Sequence, residues 1–205
     1  MFRSMATAVP VITRFEMLTY WGFANGYLEW FGINSLMLFW AWFVTLLVLR
    51  PVIHARHFYF DHRLLHPCWL YKLMHALQHP NVEVGIWPGL AMHPVEHIIY
   101  FSPIVFQWRL ALHWVNALWK KQFAIFNTAV AHTGFEKLVI GKHLLIDASS
   151  YFHYLQNKYL ECNYGDTLAP LDKLLQTRHE GTAETHLSNR GRMLERLAQA
   201  NSGKG

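Results

Sequence analysis

The first regular feature along the chain is an uncharged run over residues 30–49, bounded by Glu29 and Arg50 and rich in Leu, Phe, Trp and Val. A helix with one wet side shows apolar residues every three or four positions, whereas this run is apolar all round. About 20 such residues match the roughly 30 Å hydrocarbon core of a bilayer, so the pattern predicts a membrane-spanning helix. It is not a secretion signal, because it starts too far into the chain and no small-residue cleavage site follows. Residues 17–28 are apolar but short, which predicts an interfacial helix or half of a helical hairpin. Residues 98–130 are apolar again, interrupted by Pro103, Arg109 and Lys120-Lys121. Two full crossings need about 40 residues, so a tilted hairpin or a re-entrant pair of helices fits this stretch better. From Arg178 onward Gly, Ser, Asn and Arg take over, which predicts a polar tail with a weak helix over residues 192–200. The expected organisation is an N-terminal apolar segment (1–29), a membrane domain (30–177) and a polar tail (178–205).

Composition adjusts this picture. At 205 residues one domain is the natural expectation. Only 15% of them are charged, against roughly 25% in soluble domains, which is too few for a fully wet surface. With 53% hydrophobic and 16% aromatic residues the chain is not disordered. Yet its mean hydropathy is modest for a bundle of pure spans, so a substantial part is expected outside the lipid. Arg50, Arg56, Arg63 and Lys72 follow the span closely, which places the later residues in the cytoplasm. The net charge of +5 is accounted for by anionic lipid headgroups; no nucleic-acid-binding motif is present. Cys68 and Cys162 are too few for a disulfide framework or a thiolate zinc site. Histidine, at 14 residues, is the type in excess.

The histidines are grouped. His62 and His66 are four apart, as are His75 and His79, and again His93 and His97. Spacing of four puts two side chains on one helical face, close enough to share a metal. Pro67 is expected to start the second of two helical segments carrying the first two pairs. Neutral imidazole is the commonest metal ligand and suits iron, zinc and copper. His93-Pro94-Val95-Glu96-His97 reads as a helix start rather than, as the alternative, a segment in which His97 ligates directly; proline takes the first position, leaving Glu96 to serve the helix terminus or to orient a ligand. His132 and His153 follow later. Asn163-Tyr164-Gly165-Asp166 reads as a turn, with Gly165 available for positive φ. His54, His57, His113, His143, His179 and His186 have no spacing that singles them out.

In order, these motifs resemble the sterol desaturase and fatty acid hydroxylase superfamily. His62-Arg63-Leu64-Leu65-His66, then Leu70-Tyr71-Lys72 and His75, are similar to its first two histidine boxes. Met92-His93-Pro94-Val95-Glu96-His97, His132-Thr133-Gly134-Phe135, and His153 through Glu161-Cys162-Asn163-Tyr164-Gly165 continue the match. Pro170-Leu171-Asp172-Lys173-Leu174 resembles the segment that closes the domain, and the resemblance covers residues 58–177.

The resemblance implies an all-α, integral membrane helical bundle with a cytoplasmic, histidine-rich metal-binding cap. It implies two irons and electrons from a cytochrome b5 or ferredoxin type reductase system. Dioxygen would be used to hydroxylate or desaturate a lipid or sterol, in a bacterial inner membrane or the endoplasmic reticulum. Carried over position by position, the metal ligands are His62, His66, His75, His79, His132 and His153, with Glu96, His97 and Asn163 behind them. Three expected histidines are replaced, by Gln78, Gln156 and Asn157, and Gln176 stands where the family usually has glycine. An amide oxygen binds iron more weakly than imidazole, so two irons, one or none remain as alternatives. The functional expectation is therefore an oxygenase, against a degenerate member that binds lipid or a partner without catalysis.

Overall fold

A computed structural model describes residues 2–29, 34–76, 79, 85, 89, 92–108, 113–135, 137–141, 144–147 and 149–202. Gln78 and His143 lie outside these residues, and nothing further is drawn from their place in the fold. The described chain is mostly helical. Its elements are α1 (Phe2–Ala24), α2 (Leu36–Leu65), α3 (Cys68–Leu70), a π-helical turn (Tyr71–His75), α4 (Pro94–Phe101), α5 (Pro103–Gln107) and α6 (Trp114–Ala131). A hairpin of β1 (Lys137–Ile140) and β2 (Leu144–Asp147) follows, then α7 (Ser150–Tyr159), α8 (Leu171–Leu174) and α9 (Ala183–Ser202).

Of the apolar run, residues 36–49 form the first part of α2, which continues through Pro51 to the first histidine pair. Among the described residues α2 is the one helix long and apolar enough to cross a membrane. Its early side chains face outward, Leu36 being 73% and Val48 65% exposed. A stripe of this kind calls for lipid or a partner rather than water.

Helix α1 begins far earlier than the apolar segment 17–28. It packs on α4, the end of α5 and α6 through Thr7 Oγ1 to His97 Nδ1 (3.2 Å), Trp108 Nε1 donating to Thr19 Oγ1 (3.0 Å) and Lys121 Nζ to Glu16 (2.6 Å). In the stretch 98–130 a break at Ser102-Pro103 leaves α4 and α5 at eight and five residues, too short to cross a bilayer. Helix α6 runs beside α2 in the same direction, with Trp119 Nε1 on the Leu47 carbonyl and Phe123 against His54. Met92, Tyr100, Phe101 and Ala124 form the apolar centre where α1, α4 and α6 meet.

The all-α expectation is corrected by the hairpin. Its strands pair antiparallel, Lys137 with Asp147 through Ile140 with Leu144. Val139, Ile140 and Ile146 favour the pleated backbone, and Gly141 at φ +65° opens the reversal.

After α7 the chain folds back over α2 and is closed by Asp172. Its carboxylate accepts from Tyr164 N–H (2.9 Å), Gly165 N–H (2.8 Å) and Thr177 Oγ1 (2.6 Å). In the turn, Asn163 rather than Gly165 takes the left-handed conformation, at φ +52°. Asn tolerates that region. Gly165 is needed for space: a Cβ there would lie 2.9 Å from Asp172 Oδ2 and 3.2 Å from the Tyr59 ring. Gln176 is also left-handed, at φ +56°, which accounts for the glycine expected there. Because an L side chain costs roughly 1–2 kcal/mol in this region, part of it offset by glycine's chain entropy, Gln176→Gly should stabilise the fold by about 0.5–1 kcal/mol. The check is a thermal melt of the purified protein, with an upward shift of a few degrees expected.

Candidate metal centre

Helix α2 delivers His62 and His66 from one face of its last turn. The π-helical turn, closed by Ala76 N–H on the Tyr71 carbonyl (2.8 Å), delivers His75, and His79 follows. One ring nitrogen from each of these four residues lies within 4.8 Å of all the others, and all four are buried. Thus two histidine pairs separated by a proline come together at one point.

The far side of each ring decides what the near side can do. His62 Nδ1 meets the Tyr164 carbonyl at 2.8 Å, and His75 Nδ1 meets Glu96 Oε1 at 2.7 Å. Both partners only accept, so the proton sits on Nδ1 and the Nε2 lone pair faces inward. The two Nε2 atoms are 3.0 Å apart. Two lone pairs at that distance repel unless a cation lies between them, so the donor set fits a metal ion. Burial, followed by the neighbouring His75, holds His79 down at about 3. In His79 this favours the neutral imidazole, the ligating form.

A second group adjoins the first. The rings of His132 and His153 are 4.3 Å apart, and His153 lies 6.2 Å from His62. The Thr128 carbonyl holds His132 Nδ1 at 2.9 Å. Gly89 fits tightly there, since a Cβ would come within 2.6 Å of His132 Nδ1. Burial pushes His153 well below its ordinary value, with His132 adding to the effect, and burial also lowers His132.

Among the described residues, four buried atoms of these side chains have no hydrogen-bond partner: His132 Nε2, His153 Nε2, Gln156 Oε1 and Asn157 Oδ1. Orphaned buried groups of this kind are costly and need an explanation. Gln156 is fully buried, with Nε2 at 3.0, 3.0 and 3.4 Å from Nε2 of His62, His66 and His79. Turning its amide by 180° exchanges nitrogen for oxygen in that position. Gln156 thus stands at the cluster through its side chain, and Asn157 reaches it through its backbone carbonyl, 3.5 Å from His79 Nδ1.

The supporting residues differ in what they touch. Glu96 touches both a ring and a helix start: Oε1 lies 2.7 Å from His75 Nδ1, while Oε2 accepts from the His93 backbone N–H (3.4 Å) in a capping box. His93 caps α4 by accepting from Val95 N–H (3.3 Å). His97 turns to Thr7 on α1 and is not among the clustered histidines. Asn163 touches no cluster histidine; it donates to the Phe152 and His179 carbonyls (both 3.0 Å) and so secures the turn presenting the Tyr164 carbonyl. Elsewhere, His57 pairs with Asp61, His113 caps α6, and His179 bonds His186 at 3.2 Å.

Sequence reasoning had no access to the Tyr164 and Thr128 carbonyls, which orient two of the rings. Backbone groups leave no residue-type signal, and only the fold brings them near. Glu96→Gln keeps an acceptor for His75 but removes its charge. Metal affinity should drop by about 10–100-fold, the usual cost of losing a ligand's hydrogen-bonded partner. Competition with a chelator would measure this.

The sequence profile described as Fatty acid hydroxylase matches residues 47–177. The chain is 30% identical to Fatty acid hydroxylase domain-containing protein 2 of Macaca fascicularis over 159 residues, 74% of this chain and 44% of that protein. It is 25% identical to Delta(7)-sterol 5(6)-desaturase ERG3B of Gibberella zeae over 170 residues, 77% of this chain and 49% of that protein. The Homo sapiens Fatty acid hydroxylase domain-containing protein 2 is 31% identical over 65% of this chain and 38% of its own length. The chain thus spans less than half the length of these relatives. No solved structure matches it. The matched segment holds all four clustered histidines together with His132, His153 and Asp172, and the chain belongs to the fatty acid hydroxylase family.

Proposed function

We propose that the chain is a membrane-bound, iron-dependent oxygenase that hydroxylates or desaturates a lipid or sterol. The observation that carries this is the inward convergence of proton-free Nε2 atoms from His62 and His75 beside His66 and His79. When bound, iron supplies activation of dioxygen, with electrons delivered by a cytochrome b5 or ferredoxin type system. His62, His66, His75 and His79 hold one ion. His132 and His153, with the amide oxygens of Gln156 and Asn157, hold a second less tightly. Phe58, Met92 and Tyr100 line two small cavities, one reaching His62 and the other reaching His132 and His153. These three side chains give each small cavity an apolar wall beside the histidines. Helix α2 anchors the centre at the bilayer, with the histidines on the cytoplasmic side.

The second reading, a non-catalytic member that binds lipid or a partner, is favoured by the Gln156 amide nitrogen, which as placed offers its hydrogens to three Nε2 lone pairs. Reconstituted protein with iron, a reductant and mixed lipid extracts separates the two. The oxygenase reading expects lipid-dependent oxygen uptake with hydroxylated or unsaturated products. It also expects Gln156→His to raise the rate. Iron-loaded protein with no lipid-dependent uptake, in either form, would favour the second reading.

A further inference from the structure

Apolar packing does little to hold α9 in place, since Leu187 is 71% and Leu194 58% exposed. Polar contacts do more: Arg192 donates to the Gln176 carbonyl, and His186 meets His179. His179 lies in the segment between α8 and α9 and is 1% exposed. That segment is tied to the turn behind the metal centre. Asn163 Oδ1 accepts from the His179 backbone N–H (2.7 Å), and the adjoining Tyr164 carbonyl holds His62.

The hydrogen bonds of the His179–His186 pair fix where each proton sits. Gly181 N–H donates to His179 Nδ1 (3.0 Å), so that nitrogen keeps its lone pair and the ring proton is on Nε2. Nε2–H then donates to His186 Nδ1 (3.2 Å), which places the His186 proton on Nε2, 3.5 Å from the Tyr159 hydroxyl. The Tyr159 ring stacks on His179 at 4.8 Å and 12°. These bonds disfavour a metal ion between the rings, because ligation through His179 Nε2 would move its proton to Nδ1, against Gly181 N–H. They also need both rings neutral. A second proton on His179 would sit on Nδ1, facing Gly181 N–H. One on His186 would sit on Nδ1, facing His179 Nε2–H. In either case a hydrogen bond becomes two opposed donors.

The surroundings oppose the added charge as well. Burial lowers His179 below its ordinary value of 6.5, with His186 and Arg192 adding to the effect. Lys137 and Tyr151 line one cavity with His179, and Lys158 lies over the Tyr159 ring. Of the acids, Glu180 pairs with Arg178, and Glu161 accepts from the Tyr164 hydroxyl. Among the described residues no carboxylate forms an ion pair with either ring. A histidine held below its ordinary value stabilises the fold while neutral, and that contribution is lost as the pH falls below 6.5.

We propose that His179 and His186 form a pH-sensitive clasp, which holds α9 on the closing segment at neutral pH and releases it in mild acid. The clasp works whether or not the histidine centre binds iron.

Hydrogen exchange of the full chain in uncharged detergent, read as protection factors at about pH 7.5 and about pH 5.5, tests this. Protection of α9 should fall by at least about tenfold at the lower pH, as expected when a hydrogen bond is lost and its donors are left opposed. The first turns of α2 and α6 should keep theirs. A double variant, His179→Gln with His186→Asn, replaces the two rings by an amide donor and an amide acceptor that do not titrate. Its α9 should stay as protected at the lower pH as at the higher. Equal protection of α9 at both pH values in the parent would overturn the proposal without need of a variant. So would a loss in the double variant as large as in the parent, which would place the titrating groups in the metal centre instead.

Discussion

Replacing His62 with alanine is expected to strip the protein of bound iron, with affinity lowered by at least about 100-fold. Loss of a group that merely orients a ligand already costs 10–100-fold, and His62 supplies a ligand directly. Its place at the middle of the cluster enlarges the effect. It is buried, its Nδ1 is held by the Tyr164 carbonyl, and its Nε2 lies 3.0 Å from both His75 Nε2 and Gln156 Nε2. Alanine removes one of the four clustered donors and leaves the His75 Nε2 lone pair without its partner across the site. His57→Ala, one turn and a residue earlier on α2 and paired with Asp61, should bind iron as the parent does. Chelator competition on the three proteins gives the comparison. Unchanged affinity in His62→Ala would place the metal elsewhere.

The second large effect is on stability. Asp172→Ala should destabilise the fold by about 3 kcal/mol or more, because the carboxylate satisfies three donors at once and each buried donor left without a partner costs roughly 1–3 kcal/mol. Burial raises the Asp172 carboxyl above its ordinary range, while these hydrogen bonds and Arg63 oppose that rise. The three bonds tie the Tyr164 turn to the end of the domain, and the Tyr164 carbonyl in turn orients His62. Melting temperature should therefore fall by roughly 6–12 °C for a chain of this size. Iron affinity should weaken with it, as far as the Tyr164 carbonyl loses its place. Asp172→Asn, which retains one acceptor oxygen, should lie between the two. An unchanged melting temperature in Asp172→Ala would show that the closing segment does not brace the centre.

Much of the centre was legible because its signal is local. Histidines four apart need only one helical turn to converge, and Pro67 and His93-Pro94 mark the segment starts seen as α3 and α4. The long apolar helix α2 was legible for the same reason, since an apolar run is its own signature. Its extension to Leu65 was not, because charged Arg50, Arg56 and Arg63 look like an end while their backbone continues as helix. The early start of α1 was hidden similarly: Arg14 and Glu16 interrupt the apolar pattern, yet Glu16 pairs with Lys121 on a helix 105 residues away. The hairpin was missed because two four-residue strands carry too short a pattern to stand out among apolar helices. Gln156 and Asn157 were readable as substitutions. The place of the Gln156 amide against His62, His66 and His79 became visible only in the folded arrangement.

The central claim is that the buried histidines of this chain form an iron centre despite the substituted boxes. Elemental analysis of the detergent-extracted, anaerobically iron-loaded and desalted protein tests it most directly. The account predicts at least one tightly held iron per chain, and up to two when the His132–His153 group is filled. Retention of less than about a tenth of an iron per chain, in protein that still melts cooperatively, would contradict it.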